Sequence, residues 1–369
     1  MRKLITISIL LFSCLNVFSQ NNYPWNRPLK IAWSDNGITF DTPVIFQDSS
    51  GVPSVIQWKG DTLVCVFQWF RQPMNSITWD RVAVKFSYNA GITWTQPTPI
   101  IVNGIPNNYQ RPFDPTLAVI SNSSLRIYFS SSNGMPAGGL TSIVDTYSAI
   151  SSDGINYNFE PDARVDDALR PVIDPAVIYY KGLWHYAAPS GAPQDGAFHF
   201  TSNNGVNFIQ QAKYTSDNTH NWTGNFMLNN ANELRFYGSG QKIWYNSSSE
   251  GFAWQGYINT TLIGGDPAVV KTGNTNFIAV YVGEPYSVGI QKNAISEGQT
   301  HVYPNPFTHT INIIQASGIE FYDLNNSMGQ TIWKGMHIEQ QNFSNLPTGF
   351  YILKVSTQDT MQSFKLIKK

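Results

Sequence analysis

The chain has 369 residues, of which 42% are hydrophobic and 14% aromatic but only 13% charged, with a formal net charge of −1. That length accommodates two domains and a large core. A near-neutral surface filled by Asn, Ser, Thr and Gly gives no electrostatic basis for binding nucleic acid or an anionic membrane.

The N-terminus reads as a processing signal. Met1-Arg2-Lys3 is a positive start, Leu4 to Phe12 an apolar stretch, and Val17-Phe18-Ser19 a cleavage region that leaves Gln20 as the new terminus. This predicts a secretory signal peptide over 1–19, too short to span a membrane, and no transmembrane segment after its cleavage. The mature chain keeps one cysteine, Cys65, inside the apolar run Leu63-Val64-Cys65-Val66-Phe67. It cannot form an internal disulfide and reads as a buried small hydrophobe.

One short phrase then recurs along residues 20–296. It reads Ser34-Asp35-Asn36-Gly37 with Phe40, Ser87-Tyr88-Asn89-Ala90-Gly91 with Trp94, Ser152-Asp153-Gly154 with Tyr157, Ser202-Asn203-Asn204-Gly205 with Phe208, and weakly Ser249-Glu250-Gly251 with Trp254. Asp or Asn can bond its own backbone, Gly takes positive φ, and the aromatic tucks beneath a tight hairpin. A period of about 50 residues indicates a repeat architecture. The phrase resembles the Asp-box of sialidases and related propellers, a structural motif that implies a scaffold rather than a chemistry.

A second repeat interleaves with the first. Val52-Pro53, Asp114-Pro115, Asp174-Pro175, Gly224-Asn225 and Asp266-Pro267 each open a short strand, and Pro is tolerated at a strand's first residue. Further strands follow each opening, which predicts an all-β fold, a five-bladed β-propeller over 20–296. The last unit lacks a hairpin phrase and the first phrase lacks an inner strand, so Leu29 to Phe40 is expected to complete the last blade and leave no open edge.

Residues 297–369 change character. Val302-Tyr303-Pro304-Asn305-Pro306-Phe307, Met328-Gly329-Gln330, Gly349-Phe350-Tyr351 and the terminal lysines predict a small C-terminal β-sandwich. These residues resemble the type A C-terminal sorting domain of the type IX secretion system of Bacteroidetes. The resemblance implies the secretion machinery as a partner and a secreted or outer-surface location reached through the periplasm.

Inner strands of a propeller start around one channel mouth, where Asp114, Asp174 and Asp266 should converge and raise one another's pKa. Asp before Pro also caps turns, and that plainer role stays open for all of them. The stretch Arg170 to Tyr186 resembles the second-blade signature of family 43 glycoside hydrolases and their relatives. That resemblance implies Asp114 as the base that activates water and Asp174 as its tuner. The next inner strand, Trp222-Thr223-Gly224-Asn225-Phe226, lacks the Glu expected as general acid; Glu233 falls in the following hairpin and Asp217 in a preceding loop. Arg71, Arg111 and Arg170 occupy comparable places in three blades and could grip a carboxylate, as in sialidases. Trp222, in a polar stretch, is the candidate for stacking on a sugar. No cofactor and no metal-ligand spacing is read, although a structural calcium in the channel is compatible with the sequence. Three functions remain open: an inverting glycoside hydrolase acting on polysaccharide, a non-catalytic glycan-binding or cell-surface propeller, and a sialidase-like exo-glycosidase.

Overall fold

The computed structural model describes residues 24–71, 74, 79–133, 144–273, 276–284, 301–314, 319–357 and 361–369. The signal peptide expected at 1–19 lies outside them. The chain divides into two units, Met1–Val288 and Gly289–Lys369. Both this division and the expected boundary at 296/297 fall within 285–300, also outside the described residues. Among the described residues every regular element is a strand, apart from three single-turn 3-10 helices, so the fold is all-β.

Among the described residues the first unit contains five sheets, antiparallel except where Ile101–Asn103 pairs in parallel with Asn156–Val165. Their innermost strands are Ser50–Lys59, Phe113–Ser121, Ala176–Tyr180, His220–Asn230 and Gly265–Thr272. Each inner strand touches the next, and the fifth touches the first, so the sheets form a cycle. In the fifth sheet the order runs Gly265–Thr272, Asn276–Val282, Leu29–Ser34, Val44–Gln47. The N-terminal strand therefore completes the last sheet, with Leu29 opposite Val282 and Ser34 opposite Phe277.

The repeated phrase forms the hairpin that leaves the third strand of each sheet. Ser34 Oγ accepts the backbone N–H groups of Asn36 and Gly37 at 3.2 and 2.9 Å. Asn36 Oδ1 accepts those of Ile38 and Thr39 at 2.8 and 2.9 Å. The same pattern recurs at Ser87/Asn89, Ser151/Asp153 and Ser202/Asn204. At Ser248 only the serine half remains. The bonding serines are thus Ser151 and Ser248, the last residues of their strands, and not Ser152 and Ser249. Each hairpin leans on the preceding sheet. Tyr128 Oη, on the second sheet, donates to Gly205 O of the third at 2.7 Å, and Gly205 sits at φ +70° with no room for a Cβ. Side chains interleave between neighbouring sheets in separate apolar layers. Cys65 is fully buried in one of them, and burial pushes its thiol pKa up.

Near the centre of the cycle, Thr116 Oγ1 donates to Asn225 Oδ1 at 2.8 Å, and Asn225 Nδ2 donates to Pro53 O at 3.1 Å. These bonds join the first, second and fourth sheets across the middle. Below them the inner strands line an apolar cavity of about 390 Å³.

The second unit has a two-stranded sheet, His301–Tyr303 with Asn312–Ile314. It also has a four-stranded sheet in the order Thr331–Gly335, Ile319–Asn326, Gly349–Thr357, Met361–Lys368. Phe307, Leu324, Tyr351, Leu353 and Leu366 are among its core. The Tyr-Pro-Asn-Pro opening is tied to the last strand through Asn305, which donates to Lys365 O at 2.8 Å and accepts the Ile367 N–H at 2.9 Å.

Candidate functional site

A cleft of about 460 Å³ opens where the inner strands begin. The local backbone there is unusual and repeated. Val52, Asp114, Asp174 and Asp266 all have positive φ, at 44°, 47°, 55° and 44°, and each precedes a proline. Left-handed backbone costs a non-glycine residue on the order of 1–2 kcal/mol. Pro also disfavours helical conformations in the residue before it. In the first, second and fifth sheets the pairing register shifts at this point, so the X-Pro pair is a bulge. Pro fits there because a bulged residue needs no N–H for the ladder. The fourth sheet makes the corresponding bend with Gly224, where a Cβ would fall 2.0 Å from Tyr237 O.

The bulges put Asp114 and Asp266 on the cleft lining, and the bend just before the strand Ala176–Tyr180 sets Asp174 near them. All three are half-buried. Burial raises Asp114 to about 7, with the neighbouring charge of Asp266 next in effect and the Asp174 backbone N–H opposing. Asp174 lies well above the usual carboxylate range, first through burial and then through the charges of Asp114 and Asp266. Burial also raises Asp266, against an opposing pull from the Arg27 guanidinium. All three carboxyls are held above the ordinary carboxylate range, and neighbouring carboxyls of this kind share their protons as a group.

Other predicted residues fare differently. Arg111 lines the cleft, but its Nη2 is paired with Asp80. Arg71 is exposed, with its guanidinium 5.3 Å from the Trp69 ring, and lies off the cleft lining. Arg170 is exposed too, and its Nη1 donates to Ser190 O at 2.6 Å. The three arginines therefore form no carboxylate-gripping triad at this cleft. Trp222 is corrected outright. It is 1% exposed and packs among Tyr214, Phe236, Trp244 and Trp254, where no sugar can reach its face. Glu233 is held by Arg235 Nε and Asn229 Nδ2, both at 2.7 Å, and Asp217 by His220. Among the described residues no three His, Cys, Asp or Glu side chains are grouped to hold a metal ion.

The cleft also contains residues that sequence reasoning missed. Asp80 stands on its wall at φ 54°, bonded by Arg111 and by Gln68 Nε2. Arg27 follows a single 3-10 turn, Pro24–Asn26, and its carbonyl accepts the Ser50 N–H of the first sheet. Phe70 supplies an aromatic wall, backed by Trp25 and Trp79 at ring separations of 6.1 and 5.6 Å.

Comparison with known proteins identifies the second unit first. Residues 301–369 match the family described as secretion system C-terminal sorting domain. That segment is a type IX sorting domain, and the protein is accordingly exported to the cell surface or secreted. No helix among the described residues is long and apolar enough to cross a membrane.

No curated protein sequence matches the chain. Solved structures resembling it include a family 117 glycoside hydrolase of the marine bacterium Zobellia galactanivorans, at 11% identity and TM-score 0.49, covering 63% of this chain and 84% of that one. A family 32 beta-fructofuranosidase of Bombyx mori aligns at 12% identity and TM-score 0.47, covering 94% and 89%. A GH43_1 enzyme from Xanthomonas citri aligns at 12% identity and TM-score 0.46, covering 63% and 87%.

Proposed function

We propose that the first unit is a five-bladed β-propeller that takes a glycan in the cleft above its inner strands, and that Asp114, Asp174 and Asp266 perform acid/base chemistry there on a glycosidic bond. Asp114, poised near neutrality, takes the proton of the attacking water, and Asp174 tunes it. The observation that carries this reading is the gathering of three carboxyls with raised pKa values at one cleft, each on a left-handed residue. Such an arrangement costs stability and is expected where chemistry needs it. Export of the protein agrees with a polymeric substrate outside the cell.

One observation favours a second reading, a propeller that binds glycan without cutting it. The leaving oxygen needs a proton, and the fourth inner strand offers Gly224-Asn225 where a donor carboxyl would serve. Asn225 is spent on Thr116 and Pro53.

The mature full-length protein, incubated with plant, algal and host glycans and followed by product chromatography, separates the two. Hydrolysis predicts released sugar that disappears in Asp114→Asn. Retained binding with no release from the wild type would leave the second reading standing.

A further inference from the structure

We propose that a second groove, between the first and second sheets, holds the continuation of the glycan chain seated in the cleft, so that the ligand is an oligomer or polymer read by Tyr109 and Asn107 and not a single sugar or disaccharide. The inference rests on the reading of the cleft as a glycan site and adds the length of the ligand and the residues that sense it.

The groove has a volume of about 280 Å³ and shares a wall with the cleft. Two segments build that wall, and their residues divide between its sides. Asp80, Gln110 and Phe113 line the cleft, Arg81, Tyr109 and Pro112 line the groove, and Arg111 lines both. The pair between Arg111 and Asp80 joins the two segments. The Arg111 side chain is 45% exposed, so the crest of the wall is open to water and a chain can cross it.

The groove is built for binding. Ile100, Val102, Ile105 and Tyr109 are half-buried at the edge of the apolar layer between these sheets, and the groove exposes what the layer leaves uncovered. Tyr147 and Phe159 hold the Tyr109 ring at centroid separations of 5.3 and 5.8 Å. Arg81 Nη1 donates to Trp79 O and Asp80 O at 3.0 and 3.2 Å, which fixes its guanidinium on the groove side. Asn107 stands on an exposed turn, where the Tyr109 N–H donates to Pro106 O at 2.9 Å, and its amide can donate and accept. A largely apolar lining with an aromatic ring and a few polar groups suits a sugar's apolar face and hydroxyl rim. The described lining of the groove has no carboxyl, whereas that of the cleft has Asp80, Asp114 and Asp266. Acid/base chemistry is therefore confined to the cleft, and the groove positions the chain.

The test measures binding of the mature full-length protein, by calorimetry, to xylo-, arabino-, manno- and agaro-oligosaccharides from disaccharide to hexasaccharide. In at least one series the hexasaccharide should bind about tenfold or more tightly than the disaccharide, the scale of one or two added hydrogen bonds. Asn107→Ala and Tyr109→Ala should each bring the hexasaccharide towards the affinity of the disaccharide. Should Tyr109→Ala not fold, Asn107→Ala decides, together with Asn107→Trp, which fills the groove from an exposed turn and should abolish the length dependence. Equal affinity at every length, or a loss in the Asn107 variants that is the same at every length, overturns the proposal. Asp114-dependent release that is as fast from short chains as from long ones, with length-independent binding, would remove the groove and leave hydrolysis standing. Asn107-dependent binding of long chains without release would support the groove and remove hydrolysis. Absence of binding in every series would overturn the groove and the glycan reading together.

Discussion

Replacing Asp114 by Asn should make the protein more stable at alkaline pH and leave it unchanged in acid. Unfolded, the Asp114 carboxyl titrates near 3.8; folded, burial and the charge of Asp266 hold it near 7. A raised carboxyl favours the folded state only while it is protonated. Its cost is therefore absent below pH 3.8, grows through the interval, and is complete above pH 7. At about 1.4 kcal/mol per pH unit the full displacement corresponds to at most about 4 kcal/mol. The carboxyl is only half-buried in a cleft open to water, which reduces the figure to about 2 kcal/mol. Asn keeps the shape and can still accept the Asp174 N–H. For a unit of this size about 2 kcal/mol corresponds to a gain of about 4 °C in Tm at pH 8, against none at pH 4. Tryptophan fluorescence melts report on the first unit, because every tryptophan except Trp333 lies within it. A gain of equal size at both pH values, or a loss at pH 8, refutes the reasoning. A loss would mean that the Asp114 carboxylate holds the backbone together, which is the plainer role of an Asp before Pro.

Other perturbations test the frame around the site. His185 and His199 stack at 5.7 Å between ring centroids and are buried; burial lowers the first to about 4 and the second to about 3. Because both are neutral when folded, their contribution is complete above pH 6.5 and is lost as pH falls towards 4. Wild-type Tm should therefore drop across that window, and His199→Gln should flatten the drop in a pH series of melts. Gly205→Ala places a Cβ 2.9 Å from both Arg126 Nη1 and Tyr128 Oη at φ +70°. Urea unfolding should show a loss of about 2–3 kcal/mol, against about 1 kcal/mol for Gly104→Ala, where φ is +81° but the space is open. Trp222→Ala should cost about 3–5 kcal/mol in the same assay, as for a buried aromatic, and should not selectively weaken glycan binding at temperatures where the variant is folded.

The repeats were legible because hairpin chemistry is local. Ser, Asn or Asp and Gly satisfy one another within a few residues, so the sequence alone marks each hairpin and also shows that the N-terminal strand must return to the last sheet. The misses share a different cause. Asp80 and Arg27 reach the cleft from segments outside the inner-strand openings, and their partners, Arg111 and Asp266, lie far along the chain. No spacing rule brings them together. Trp222 was misplaced because its neighbours His220, Asn221 and Thr223 look like a loop. They belong to the strand His220–Asn230, whose alternation turns the indole inward. The hairpin serines were misread by one residue for a similar reason, since two serines stand together at 151–152 and again at 248–249 and only the strand end shows which one bonds.

The first sheet bears on whether the three aspartates are more than turn formers. Val52-Pro53 makes the same left-handed bulge, at φ 44°, with no carboxylate. Val is among the residues least suited to that conformation, so the backbone device stands without help from an acid. A capping role would require each carboxylate to bond N–H groups of its own turn. The backbone N–H that bears on Asp114 instead belongs to Asp174, on the next sheet, and the charge that most affects it belongs to Asp266, on the fifth. Asp114 and Asp174 answer to the other carboxyls across the cycle, and Asp266 to Arg27 and Thr223, none of them to the local turn that carries it. Substituting Asp174 or Asp266 by Val, on the pattern of Val52, should therefore preserve the fold while altering the titration of Asp114, which a pH series of Asp114-dependent stability would read directly.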